Sequence, residues 1–425
     1  MANHKKNWKE RVCDEENELA AGDGEEAGVM LYWFELKKIV KRKMVWITLL
    51  VSIVVGIFTV SSEAIGDFYM EGEKTDTNYH KLQMDREYRE ALTGRPISQP
   101  LLEEMCAAYA KIPADVLRYA GTEEYEKYAR PYSAIFGIVT WWNEMTTDQA
   151  RKWKPDEEEL YAARTQRQKN VWQVYFLTEA EQNYWMEQER QLKPPFTYRS
   201  YEGYYILIRG FMTIGLAALL FASICMASVF TQEHTYRTDQ LLLSSAYGRH
   251  KVYWAKLCAG ITVALAGSAA MVLPAVATAF GIYGTEGFTA MAQLDLDYSY
   301  PLTMGQVCLI VYAMLFAAVV FVSVFVMTLS EIVKGNVAAL AVSFGLIIAG
   351  MMVSIPKQYR AAAQIWDWLP TRFLSIWHVF DVRMIPIFGQ CYVSWQIVPL
   401  LYAAAGIAIA AVGRQVYGRY QVSGR

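Results

Sequence analysis

Met44 to Ser62 reads MVWITLLVSIVVGIFTVSS, an apolar run without a single charged residue. The hydrocarbon core of a bilayer is about 30 Å thick and a helix rises about 1.5 Å per residue, so a span needs roughly 20 such residues. A core helix of a soluble protein would interrupt the run with polar residues on its outer face. The whole chain leans the same way: 54% of its 425 residues are hydrophobic and 19% charged, more apolar and less charged than soluble domains. Its net charge of −2 creates no field that would draw nucleic acid or acidic substrates.

Upstream of this run, Val29, Tyr32, Trp33, Leu36, Ile39 and Val40 recur at helical spacing, with Lys37, Lys38, Lys41 and Arg42 on the other side. A basic amphipathic helix bearing a Trp, set directly before a span, suits the plane of the membrane surface; a soluble core helix is the alternative. Residues 1–28 form a polar, mixed-charge tail, expected to be disordered and cytoplasmic, with no apolar stretch of signal-peptide type. Lys37, Lys38, Lys41, Arg42 and Lys43 precede the first span, so the positive-inside rule places the N-terminus in the cytoplasm.

Downstream, apolar runs predict five more spans: Ile206–Phe230, Tyr253–Ile282, Gly305–Leu329, Asn336–Ser354 and Gln396–Gly413. Six spans bring the C-terminus back to the cytoplasm, in agreement with Arg414, Arg419 and Arg425. The 283–304 loop, expected outside, carries Glu286, Asp295 and Asp297 and no Lys or Arg. The 355–395 loop dissents, because Lys357, Arg360, Arg372 and Arg383 lie in a segment that should also be outside. Its Trp366, Trp368, Phe373, Trp377 and Phe388 suit the outer interface or a partial dip into the bilayer.

Between the first two spans, residues 63–205 have the size of a domain. Charged and apolar residues alternate at helical spacing over Tyr79–Tyr128 and Asp156–Leu192, which predicts a mainly helical extracytoplasmic domain. Its apolar stretch Pro131–Met145 reads as the domain's core, with a membrane-facing surface or a partner patch as alternatives. The expected architecture is an all-α membrane protein. A tail (1–28) leads to an amphipathic interfacial helix (29–43) and the first span (44–62). The domain (63–205) follows, then five spans within 206–425, with a cytoplasmic loop at 231–252 and an extracytoplasmic one at 355–395.

The chemistry that is missing narrows the function. Ionisable residues in the spans stand near their ends, as Arg209 and Lys256 do. Charges at mid-membrane usually mark proton relays or ion paths, so a proton-coupled carrier, an internal-carboxylate pump or a cation channel is disfavoured. HExxH, GxSxG and CxxC are absent, and so is the GxxxxGK[ST] phosphate loop. The six cysteines are scattered, and neither a zinc site nor a disulfide framework is indicated. No catalytic, cofactor-binding or metal-ligating set is expected here. If ATP drives this protein, another subunit binds it.

The loop after the second span reads TQEHTYRTDQLLLSSAYGRHKVYWAKLCAG, Thr231 to Gly260. Thr238 as N-cap, Asp239 in the first turn and Gly248 as terminator predict a short helix over Asp239–Tyr247, with Leu241, Leu242 and Leu243 near its start. Those leucines need either a partner surface or lipid headgroups. This loop resembles the first cytoplasmic loop of type-2 ABC transporter permeases, the export-type membrane subunits. The amphipathic helix, the six spans and the aromatic loop before the last one extend the likeness over most of the chain.

The resemblance implies a mechanism and partners. Two permeases, identical or different, pair in the plasma membrane with both termini cytoplasmic, and each docks its loop helix into a groove on a cytoplasmic ABC ATPase. Closure of the ATPase then rocks the spans. Glu233, Arg237, Asp239, Leu241, Leu242, Leu243 and Arg249 would form that coupling element. The 63–205 insertion departs from compact family members and is similar to the enlarged ectodomains of permeases linked to peptide export or antimicrobial-peptide immunity, which implies a peptide or other amphipathic substrate. A membrane-anchored sensor is the alternative; it calls for a cytoplasmic signalling domain, whereas 12 residues follow Gly413. An intramembrane enzyme would need polar catalytic groups within the spans.

Overall fold

The structure is a computed structural model; it describes residues 28–70, 72–113, 119–231, 251–387 and 390–419. Among the described residues, five helices are long and apolar enough to cross a membrane: α2 (Lys43–Ser61), α9 (Glu202–Met226), α10 (Lys251–Tyr283), α11 (Met304–Val333) and α15 (Ser394–Arg419). They follow α1 (residues 28–40) and are joined by a shorter apolar helix, α12 (Asn336–Met352). At 17 residues, α12 is about 26 Å long, at the lower limit for a span. Helices α2, α9, α10 and α11 pack on one another, α15 packs along α11, and α12 leans on α11 and α9.

The packing is inverted relative to a soluble bundle. On α2 the buried residues are Val45, Ser52, Gly56 and Val60, while Trp46, Leu50, Val54 and Phe58 are all more than half exposed. On α15 the buried set includes Ser394, Tyr402, Gly406 and Gly413, with Leu400 and Ile407 exposed. Large apolar side chains outside and small or polar ones inside are stable only where the surroundings are themselves apolar. The small-residue row Gly260, Ala264 and Ser268 of α10 accordingly faces inward. A Cβ at Gly267 beside it would overlap the Phe221 ring of α9. Helix α10 continues through Pro274.

The 63–205 segment is helical, as its periodicity predicts: α3 (Asn78–Leu92), α4 (Gln99–Tyr109), α5 (Ser133–Trp142), α6 (Thr147–Lys152), α7 (Glu157–Val174) and α8 (Glu179–Gln191). Local chemistry sets their starts. Thr146 with Gln149, and Thr178 with Glu181, form reciprocal capping boxes, and Asp156 accepts from the Glu159 N–H. The Pro131–Met145 stretch is the core of this segment: Ile135, Phe136, Ile138, Val139 and Trp142 of α5 are buried among Leu101, Met105, Leu160 and Phe196.

The all-α expectation requires one correction. Two short antiparallel hairpins occur, β1 (Asp67–Met70) with β2 (Glu73–Thr77), and β3 (Ile385–Ile387) with β4 (Gln390–Tyr392). Gly72, at φ +90°, stands in the first turn, a conformation that glycine adopts without strain. Neither hairpin is long enough for alternation to betray it in the sequence.

The connections cluster at one end of the bundle. Arg167 of α7 makes a two-pronged ion pair with Asp297 at 2.8 and 2.9 Å, and Gln83 of α3 donates to the Ile282 carbonyl at 2.9 Å, which ties the segment to the 284–303 loop and the end of α10. Trp185 of α8 donates to the Val382 carbonyl at 2.8 Å, which ties it to the 355–393 loop. That loop contains α13 (Arg360–Asp367) and a short turn of helix, α14 (Ile376–Val379). It also plunges between helices: Leu374 fills the space a Cβ at Gly215 would take. Gly215 lies six residues beyond Arg209 on α9, about 9 Å along the axis.

Candidate functional site

The seven residues singled out for coupling, Glu233, Arg237, Asp239, Leu241, Leu242, Leu243 and Arg249, all lie in 232–250, outside the described residues. The residues on either side of this segment are described. Phe230, before it, and Tyr253, after it, are buried and meet Tyr417 of α15, with ring centroids 5.4, 5.7 and 5.8 Å apart pairwise. The Tyr253 hydroxyl donates to the Ala410 carbonyl at 2.8 Å. A Cβ at Gly413 would come within 2.6 Å of that hydroxyl, so the close approach of α15 depends on glycine there.

Charged groups converge on the same end. Lys256 is fully buried, its ammonium 5.4 Å from the Phe230 ring centroid. Glu331 near the end of α11 and Glu35 of α1 are buried as well. Arg42 donates to the Ser228 hydroxyl at 2.6 Å, and Tyr32 of α1 donates to Thr262 of α10 at 3.0 Å. Burying charge is costly unless it is satisfied in one defined geometry. The Tyr32 contact thus joins α1 to α10, and the Tyr253 contact joins α10 to α15, at the end of the bundle where α9 stops and α10 starts.

Sequence reasoning misses this cluster. Lys256 registers only as an end-of-span charge, although Tyr253 and Lys256 stand three residues apart on one face of α10. That aromatic and cationic pair, inside an otherwise apolar run, is the available signal. The amphipathic reading of α1 also holds only in part. Tyr32, Leu36 and Ile39 turn inward, but so does Glu35, while Trp33 and Phe34 are exposed.

At the opposite end, the four basic residues that break the charge rule have structural partners. Arg383, with no exposure, pairs with Asp381 and, at 2.7 Å, with Asp367. Arg372 reaches Asp367 at 2.9 Å. Arg360 binds Glu181, and Lys357 sits 3.3 Å over the Tyr175 ring. His378 completes the cluster, its Nδ1 donating to the Arg372 carbonyl at 2.8 Å and its Nε2 3.3 Å from Asp367. Burial pushes its pKa below the usual histidine value, with Asp367 opposing the shift.

Two apolar recesses open along the bundle. One of about 460 Å³ lies between α10, α11 and α15 and is lined by Trp254, Cys258, Phe321, Tyr402 and Ile407. The other, about 250 Å³, lies between α9, α11, α12 and the 355–393 loop, beside Phe325, Ser343 and Trp366. No charged side chain lines either one, so both suit apolar chains. Among the described residues, no group of His, Cys, Asp and Glu could hold a metal ion.

Comparison with known families decides what kind of bundle this is. A family model described as ABC-2 family transporter protein matches residues 29–365. The chain belongs to the ABC-2 transporter family. Comparisons with curated proteins and with solved structures found no match. The ABC-2 match begins at α1, runs across the 63–205 segment and ends within α13. Membership makes the chain a multi-pass membrane transport subunit, a permease of the ABC type that is not itself catalytic.

Proposed function

We propose that this chain is the membrane subunit of an ATP-driven exporter, paired with a second permease and energised by a separate cytoplasmic ABC ATPase. The ABC-2 match over residues 29–365 carries this reading. It is supported by the missing phosphate loop and by the rigid socket of Phe230, Tyr253, Lys256 and Tyr417 at the base of the 232–250 segment. In this reading the segment is the coupling element. Glu233, Arg237, Asp239, the three leucines and Arg249 meet the ATPase, and the socket passes its movement to α9, α10 and α15.

Six crossings fit the geometry better than five. The 63–205 segment, the 284–303 loop and the 355–393 loop contact one another, so each leaves the bundle at the same end. Helix α11 starts at that end, and α12 has to return the chain to it, which makes α12 a crossing despite its length. The lysines and arginine before α2 orient that shared end outward, with both chain termini in the cytoplasm and α1 at the inner surface. The substrate class is a peptide, an antimicrobial or another amphipathic molecule, in keeping with the large outer segment and the apolar recesses.

The reading is tested by affinity purification of the tagged chain from its native membrane in mild detergent. We expect a co-purifying subunit whose sequence contains GxxxxGK[ST]. Recovery of the chain in stable, transport-competent form without any such subunit overturns the proposal.

A further inference from the structure

A cavity of about 280 Å³ opens where the 63–205 segment meets the head of α9 and the 284–303 loop. Arg89 of α3, Gly137 and Trp141 of α5, Tyr201, Glu202 and Asp295 line it, together with the rings of Tyr198 and Tyr205. The cations around it each have a carboxylate. Arg89 pairs with Glu202 at 3.6 Å, Arg167 with Asp297 at 2.8 Å and Glu144 at 2.7 Å, and Arg209 with Glu63 at 2.8 Å. Asp295 is different. Among the described residues its carboxylate has no hydrogen-bonding or ion-pairing partner, and it stands half-buried in the cavity wall.

Even partial burial without a partner disfavours an ionised carboxylate. Burial, then Glu202 and Asp297, push its pKa up to about 6, with Arg209 opposing. It therefore remains an anion at neutral pH. The aromatic wall has the matching preference, since ring faces attract cations. Two of these rings already hold guanidinium groups: Arg167 lies 3.9 Å from the Trp141 centroid and Arg209 5.8 Å from that of Tyr205. The volume lies below the roughly 300–1,000 Å³ of drug-sized sites, so it suits one small head group.

We propose that this cavity binds an organic ammonium group, with the Asp295 carboxylate as its ion-pair partner and the Tyr198 and Tyr201 rings as its wall. The ammonium comes either from a free amine or from a phosphatidylethanolamine headgroup, because the cavity sits at the head of a membrane-crossing helix. This inference does not depend on which ATPase, if any, the chain engages.

The test is calorimetric titration of the full chain in phosphatidylglycerol nanodiscs with n-butylammonium, and with butyrate as the anionic control. Butylammonium should bind, and butyrate should not. Asp295→Asn, which keeps shape and removes charge, should weaken butylammonium binding about tenfold or more. Gly137→Leu should block binding sterically, since a side chain there meets nothing within 4 Å and enters open space. It leaves every charge in place. Between pH 7.5 and pH 5 the wild type should lose about tenfold in affinity as Asp295 takes up a proton, and Asp295→Asn should not. The groups facing Asp295 do not reverse this trend, because Glu202 is held by Arg89, Asp297 by Arg167 and Arg209 by Glu63. Weaker apparent affinity in phosphatidylethanolamine discs identifies the lipid headgroup as the occupant; equal affinity identifies free amines. No butylammonium binding, or equal affinity in wild type and Asp295→Asn, overturns the proposal.

Discussion

Glu181 of α8 accepts a hydrogen bond from Arg360 of α13 at 2.9 Å, which joins the 63–205 segment to the loop before the last membrane helix. The same carboxylate accepts from the Met384 N–H at 2.7 Å and from the Thr178 N–H at 2.9 Å. One side chain thus caps its own helix and holds a loop 179 residues further on. Burial opposes its ionisation, but Arg360 and the two N–H groups outweigh burial and keep its pKa below the usual glutamate value.

Glu181→Gln should therefore destabilise the joint by about 1.5–3 kcal/mol, the range for a hydrogen bond to a charged group. The sign with pH follows from the lowered pKa. The stabilisation is fully present above the ordinary value of 4.5 and is lost as pH falls through the lower folded value. Thermal unfolding between pH 7 and pH 3.5 should show a smaller acid sensitivity in Glu181→Gln than in wild type. Equal sensitivity would mean the pair contributes nothing.

Arg383 is the most demanding residue of the outer cluster. Arg383→Met leaves the buried Asp381 without its cation, while Asp367 keeps Arg372, a change of the kind that costs about 3–5 kcal/mol. Restoring neutrality with Asp381→Asn in the same chain, which leaves Asp367 to Arg372, should recover much of that loss. The midpoint of thermal unfolding in detergent, compared across the single and double variants, checks both statements.

Helix contact between α9 and α10 depends on Gly267. Gly267→Val places a branched side chain against the Phe221 ring and should cost about 1–3 kcal/mol by overpacking. Gly281→Ala on the same helix meets nothing within 4 Å and should change stability by less than about 0.5 kcal/mol. Similar losses at both positions would show that α10 does not pack as described.

The membrane helices are legible in the sequence because an uncharged apolar run of about 20 residues matches the thickness of a bilayer and suits little else. Their ends are less so. Helix α9 begins at Glu202, four residues before the apolar run at Ile206, because α9 continues beyond that run into the polar segment and carries Glu202 with it. Helix α15 runs past Gly413 to Arg419 for the same reason. The basic residues of the 355–395 loop run against the charge rule as read from sequence, and most of what holds them is remote: Glu181 lies 179 residues from Arg360 and Asp367 16 from Arg383, while Asp381 alone stands close, two residues before Arg383. Ion pairs at the larger separations leave no periodic trace. The residues proposed for coupling stand on a contiguous loop motif, whereas the cluster of Phe230, Tyr253 and Tyr417 is made by rings from three separate segments of the chain.

The coupling assignment makes its own forecast. If Leu242 and Leu243 fill a groove on the ATPase, each contributes roughly 1.5–3 kcal/mol of apolar burial. The double change Leu242→Ala, Leu243→Ala should weaken association or uncouple hydrolysis from transport, with membrane insertion unaffected. Charge reversal at Asp239 should do less, about 0.3–1 kcal/mol, as for an exposed first-turn carboxylate. Unchanged copurification and transport in the double variant would place the leucines on lipid instead.

The central claim is that this chain conducts substrate while another subunit supplies the ATP chemistry. Steady-state ATP hydrolysis, measured on the purified chain in proteoliposomes and again with its co-purifying ATPase, tests it most directly. The chain alone should hydrolyse no ATP, and the ATPase should turn over faster when the chain is present than when it is absent. Hydrolysis by the single pure chain, or an ATPase rate indifferent to the chain, would contradict the account.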